Sequence, residues 1–270
     1  MSNAGLPMLY ALLLWWFSTG VILYLDSLPR HTFRWSLAGA ALVALGALWA
    51  VGWSGAMNNA VGAYVAFTAA VLVWGWIEMS YFMGLVTGPW RKPCPPGVTG
   101  FARFALALRT SLYHEAAVVV TGGALLLYCR EMPNALAAHT FLVLWLMRWS
   151  SKLNVFLGVP NLNEEFLPEQ LQYLTSFMPR RAMNLFFPFA VTAATVVTAE
   201  LFQAALAAAP GTFEATADSL LAALMLLAVL EHWFLVMPLQ DAALWRWALQ
   251  VRQRRAALDA PLGVPRAAGD

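Results

Sequence analysis

The sequence predicts an all-α fold: a polytopic transmembrane helical bundle of about seven spans, with its amino terminus outside and its carboxyl terminus in the cytoplasm. Three observations predict it. Of 270 residues, 61% are hydrophobic and only 11% are charged, against about 25% charged in an average soluble domain. Apolar runs recur at close to the roughly 20 residues that a helical span requires. Lys and Arg crowd onto alternate connections, the bias that sets orientation in a membrane.

The runs are Leu6 to Leu25, Ser36 to Trp53, Ala60 to Val86, Leu112 to Cys129, Ala135 to Leu157, Met183 to Ala208 and Ala217 to Met237. Between them lie chemically sensible breaks: Asp26 to Arg34 with Pro29, the Asn58-Asn59 pair, the Pro-rich Gly88 to Gly100, Arg130 to Asn134 with Pro133, and Pro210-Gly211. Such residues end helices or favour turns. Backbone amides in lipid must be satisfied within the segment, so the runs are helices and an open sheet is excluded.

Orientation follows from the cations. One set of connections and helix ends holds Arg30, Arg34, Arg91, Lys92, Arg103, Arg109, Arg148, Lys152, Arg180, Arg181, Arg246, Arg252, Arg254, Arg255 and Arg266, leaving only Arg130 of the sixteen for the other. The positive-inside rule makes the first side cytoplasmic. The net charge of +2 is too small and too dispersed for a nucleic-acid surface.

The spans and their loops form one membrane domain, residues 1–258, followed by a Pro/Gly/Ala-rich tail, 259–270, expected to be disordered. The first run lacks a basic leader and a small-residue cleavage site, so it reads as an uncleaved helix. Two cytoplasmic segments look ordered. In Asn163 to Met178, Asn163 can cap a helix that opens on Glu164 and Glu165, and Leu167, Leu171, Leu174 and Phe177 follow at helical spacing. That amphipathic helix is expected on the membrane or against a partner. Leu239 to Leu258 mixes Trp245, Trp247, Leu249 and Val251 with Arg246, Arg252, Arg254 and Arg255, as an interfacial basic helix does. Most of the tryptophans lie near helix ends, where indoles anchor at the headgroup level.

Ionisable groups inside spans cost about 2.5–3.5 kcal/mol each on insertion scales, so each needs a reason. They are Glu78, His114, Glu115, His139, Glu200, Glu231 and His232. Glu78 lies about 12 Å from the inner end of its predicted span at 1.5 Å per residue. His114, Glu115, Glu231 and His232 share that inner half, whereas His139 and Glu200 fall toward the outer face. The five inner residues are candidates for a metal or ligand site, since imidazole and carboxylate together suit iron, manganese or zinc. Adjacent residues diverge by about 100 degrees on a helix, however, so neither His114-Glu115 nor Glu231-His232 can easily present both members to one metal. A single histidine could instead ligate the magnesium of a chlorophyll or a haem iron. The plain alternative is that these groups pair with one another or with cations such as Arg109 and hold helices together. Cys94 and Cys129 form no CxxC pair, and GxGxxG, P-loop, GxSxG and HExxH motifs are absent.

The run Asn-Leu-Asn-Glu-Glu-Phe-Leu-Pro-Glu-Gln-Leu-Gln-Tyr-Leu at 161–174, Leu-Tyr-His-Glu at 112–115, the Lys-Pro-Cys-Pro-Pro-Gly loop at 92–97 and the Glu231-His-Trp-Phe step together resemble the PuhE family. These are integral membrane proteins of purple phototrophic bacteria, described as photosynthetic complex assembly proteins. The resemblance covers nearly the whole chain. It implies a role in building the reaction centre and core light-harvesting complex, or in modulating bacteriochlorophyll supply to them. The implied location is the bacterial cytoplasmic membrane and its intracytoplasmic extensions, with reaction-centre or core-antenna subunits as partners in the lipid bilayer. It supplies no catalytic residues. Whether bacteriochlorophyll or a metal ion is bound stays open at this point. The competing reading is a membrane metal-dependent oxidoreductase acting on a porphyrin, quinone or lipid through the inner histidines and carboxylates. A transporter is weakened, because no pair of short, Gly/Pro-interrupted spans recurs in two halves of the chain.

Overall fold

The computed structural model describes residues 4–162, 164–237 and 244–251. Among them the chain forms seven long helices: α1 (Gly5–Asp26), α2 (Phe33–Gly55), α3 (Ala60–Phe82), α4 (Gly100–Cys129), α5 (Leu136–Leu157), α6 (Phe186–Ala207) and α7 (Phe213–Phe234). The only β geometry among the described residues is an isolated bridge between Val159 and Arg180. Two helix starts are capped as their sequences suggest. The Asn59 side chain accepts from Gly62 N–H at 2.9 Å ahead of α3, and Thr212 does the same for Ala215 N–H at 3.2 Å ahead of α7.

Six of the seven, α5 being the exception, are long and apolar enough to cross a membrane. Arg148, Ser150, Ser151, Lys152 and Asn154 dilute the second half of α5. Its ends nevertheless coincide with those of its neighbours. At one end Arg30 pairs with Glu169 at 3.2 Å, Gln170 donates to Phe82 O at 2.5 Å, Cys94 N–H donates to Ser176 Oγ at 2.8 Å, and Asn161 N–H donates to Leu235 O at 3.1 Å. The connections α1–α2, α3–α4 and α5–α6 and the end of α7 therefore meet there. At the opposite end the buried Asn134, just before α5, donates to Ser54 O and Gly62 O at 3.0 Å each, joining the α4–α5 and α2–α3 connections. Alternation of this kind needs α5 to run the full length of the bundle.

α7 and α3 form the centre, with 72% and 50% of their most apolar windows buried, against 17% for each of α1, α2 and α6. Both central helices are rich in small residues: Ala63, Ala66, Ala69 and Ala70 on α3, and Ala217, Ala222 and Ala223 on α7, are all buried. Small side chains let helix backbones approach closely where apolar burial gives no drive against lipid. α6 packs on α7 through Phe187, Val191 and Ala194 against Met225 and Val229.

Two predicted segments change. α4 begins at Gly100 rather than Leu112, because Arg103 and Arg109 interrupt the apolar run without interrupting the helix. The segment expected to be one helix over 163–178 is instead two 3-10 pieces, Glu164–Phe166 and Glu169–Phe177, with Pro168 between them. Proline lacks the amide that would carry a continuous ladder past that point. Its apolar side is turned inward: Leu171, Leu174 and Phe177 are buried, with Tyr81 and Phe82 among their neighbours. These three side chains are therefore covered by the chain itself. Leu167 is half-buried beside them, Glu164 pairs with Arg180 at 3.1 Å, Glu165 is exposed, and Asn163 lies outside the described residues.

Of the basic segment Leu239 to Leu258, residues 244–251 are described and 246–251 are helical. This stretch docks on α1: Trp245 Nε1 donates to Trp16 O and Trp16 Nε1 donates to Leu244 O, both at 3.0 Å. The remainder of that segment and the predicted tail, 259–270, lie outside the described residues.

Candidate functional site

The half of the bundle toward the basic loops holds a cluster of ionisable side chains contributed by α3, α4 and α5. Glu78 of α3 is reached from two sides. Its Oε2 lies 3.1 Å from Arg148 Nη2 of α5, and its Oε1 lies 3.6 Å from His114 Nε2 of α4. One residue on, Glu115 turns to α5: Oε1 is 2.6 Å from Lys152 Nζ and accepts from Ser111 Oγ at 3.3 Å, and Oε2 accepts from Trp149 Nε1 at 2.6 Å. His114 and Glu115 thus serve different neighbours, as their 100-degree divergence predicts. The Tyr81 ring stands between the two halves, 4.5 Å from the His114 ring centroid and 5.1 Å from Lys152 Nζ.

The positions of His114 and Glu115 depend on a loop gripping the backbone of α4. Tyr113 N–H and His114 N–H donate to Thr87 O at 2.9 and 3.0 Å, and Trp90 N–H donates to Arg109 O at 3.2 Å. Gly88 makes the approach possible, since a Cβ there would sit 2.1 Å from Arg109 O.

The sequence-predicted residues therefore divide. Glu78 and His114 come together, and Glu115 lies next to them in its own ion pair. Glu231 lines the same cavity as Glu78 and acts electrostatically on Arg148. His232, although buried, points elsewhere: Nε2 is 2.8 Å from Ser150 Oγ and Nδ1 is 2.8 Å from Ala228 O. His139 and Glu200 are exposed, toward the opposite end of the bundle. Among the described residues, no three His, Cys, Asp or Glu side chains are placed to hold a metal ion. Glu115 and His232 have both polar ends engaged, and His114 is only 1% exposed. The residues that the sequence reading missed as site members are Arg148 and Lys152, which it counted as loop-side cations. The available signal was their i, i+4 spacing, which sets both on one helix face.

Above and below this belt runs a cavity of about 470 Å³, walled by α1, α3, α4, α5 and α7 and closed toward the basic end by the 3-10 segments. Arg148 and Lys152 line it with side chains 32% and 28% exposed, while their partners Glu78 and Glu115 show only 8% and 9%. The cavity accordingly meets hydrogen-bond donors whose charge is already neutralised from behind. Chemically the site can hold a neutral group that accepts hydrogen bonds, and it can brace three helices.

No solved structure matches the chain. It is 38% identical over 258 residues, 92% of each chain, to a protein of Rhodobacter capsulatus described as "Uncharacterized 30.4 kDa protein in puhA 5'region". Residues 1–256 match the family described as "Protein of unknown function (DUF3623)", and with that coverage the chain belongs to the DUF3623 family.

Proposed function

We propose that the protein is an integral membrane assembly factor for the photosynthetic reaction centre and core light-harvesting complex, or a modulator of bacteriochlorophyll supply to them. One observation carries the reading: the Rhodobacter capsulatus relative is described by its place in the 5' region of puhA, and this agrees with the resemblance drawn from 161–174, 112–115 and the Pro-rich loop. The body suits such a role. Its peripheral helices leave broad apolar faces outward, with Leu42, Trp49 and Trp53 on α2 and Phe189 and Val196 on α6 exposed. In a bilayer these faces are covered by lipid or by a neighbouring transmembrane subunit. The carboxylates of the cluster, Glu78 and Glu115, are buried and each meets a cation of α5, which fits a brace better than a centre of bond-making. The basic end faces the cytoplasm on the positive-inside rule, and the membrane is the bacterial cytoplasmic membrane with its intracytoplasmic extensions.

The test is the absorption spectrum of membranes from a deletion strain. Reaction-centre and core-antenna bands should fall or become unbalanced while pigment is still made. Complete loss of bacteriochlorophyll with accumulation of one precursor would point to a biosynthetic enzyme and overturn the reading.

A further inference from the structure

The cavity has a shape and a polarity that specify an occupant. On α3 its lining runs from Phe67 to Phe82, about 22 Å at 1.5 Å per residue, so it is a long slot and not a round pocket. Beyond Arg148 the walls are apolar: Ala11, Phe67, Val71, Trp74, Leu144 and Leu224 line that depth. A flexible apolar chain fits there, and a charged group does not. At the belt, Arg148 and Lys152 face the slot one helical turn apart, about 6 Å along α5. Each is already paired with a carboxylate, at 3.1 and 2.6 Å. An anionic head would therefore enter as an uncompensated charge, with Glu231 also on the wall, whereas a neutral carbonyl oxygen accepts from either cation at little cost. The rings of Tyr81 and Phe82 flank this level and suit a flat head.

We infer that this slot binds a neutral lipid with a flat, carbonyl-bearing head, of the long-chain quinone class. Its carbonyl oxygens accept from Arg148 and Lys152, and its chain lies toward Phe67 and Ala11. This site stands on the cavity alone and does not rest on the assembly reading.

Decylubiquinone is the probe, titrated into the purified full chain in nanodiscs and read by quenching of tryptophan fluorescence, since Trp15, Trp74 and Trp149 line the slot. Quenching should saturate, and methyl palmitate should relieve it while palmitate does not. Leu144→Trp, which fills the deep half, should weaken binding about tenfold or more with an unchanged elution profile and thermal midpoint. The paired variant Glu115→Leu/Lys152→Met removes one donor without leaving a lone charge and should weaken binding about tenfold. Unsaturable quenching that is the same in Leu144→Trp would mean simple partition into lipid and would overturn the site. Displacement by palmitate as effective as by methyl palmitate would overturn the neutral head.

Discussion

Glu78→Gln tests whether the inner cluster holds the bundle together, and the structure sets the size of the effect. Glu78 and Arg148 are 3.1 Å apart with side chains 8% and 32% exposed. Removing one partner of a buried pair costs about 3–5 kcal/mol, because the other charge is left uncompensated. Arg148 keeps surface on the cavity and still feels Glu231, so Glu78→Gln belongs at the low end, about 3 kcal/mol. Arg148→Gln strands the more deeply buried carboxylate and belongs at the high end, about 5 kcal/mol. The double variant Glu78→Gln/Arg148→Gln removes both charges and should lose less than either single variant, so that the losses are far from additive. Unfolding of the detergent-solubilised protein by added SDS, followed by circular dichroism, measures all four proteins. Additive losses in the double variant, or equal losses in the two single ones, would refute the argument.

Two further outcomes follow from the geometry. Cys94 lies half-buried at the basic end, whereas Cys129 is buried, so in intact cells an impermeant thiol reagent should leave Cys94 unlabelled until the membrane is opened; in a cysteine-free background Glu131→Cys, at a side chain 83% exposed, should label from outside. Gly88→Ala places a Cβ against Arg109 O and should destabilise the protein by about 2 kcal/mol or more, with protease nicking of the 84–99 loop as the readout; wild-type stability would show that the loop does not grip α4.

The helices were legible because lipid demands long apolar runs, and six of the seven meet that demand unaided. What misled was local hydropathy used as a proxy for helix. Arg103 and Arg109 hid the first turns of α4, although a helix extending out of the bilayer tolerates cations. The spacing of Leu167, Leu171, Leu174 and Phe177 marked an apolar side correctly but could not say what would cover it. Pro168 and the contacts with Tyr81 and Phe82 decided both the 3-10 geometry and the inward orientation. In the site, intramembrane carboxylates and histidines stood out against an apolar background, while Arg148 and Lys152 were absorbed into the charge count that gave the orientation. The same two cations serve in both arguments, since they lie near the basic end and also face inward. Which helices are neighbours was not legible: nothing in the sequence says that α5 lies between α3 and α4.

That adjacency bears on how α5 enters the membrane. Arg148 and Lys152 add to the cost of inserting α5 as an isolated span, and with Ser150, Ser151 and Asn154 they leave it less apolar than the other six helices. Their counterions, Glu78 and Glu115, sit on α3 and α4, which leave the ribosome first. A hairpin of α3 and α4 already in the membrane offers both carboxylates to α5, so the cost of its cations falls as they pair. The double variant Glu78→Gln/Glu115→Gln should therefore impair insertion of α5 while leaving α1 to α4 in place. A reporter active only in the cytoplasm, fused after Leu157 in a chain ending there, should lose most of its signal in the double variant, and Arg148→Leu/Lys152→Leu added to it should restore the signal by making α5 apolar. Full signal in the double variant would mean that α5 inserts without its counterions and that the ion pairs form only afterwards, as the bundle packs.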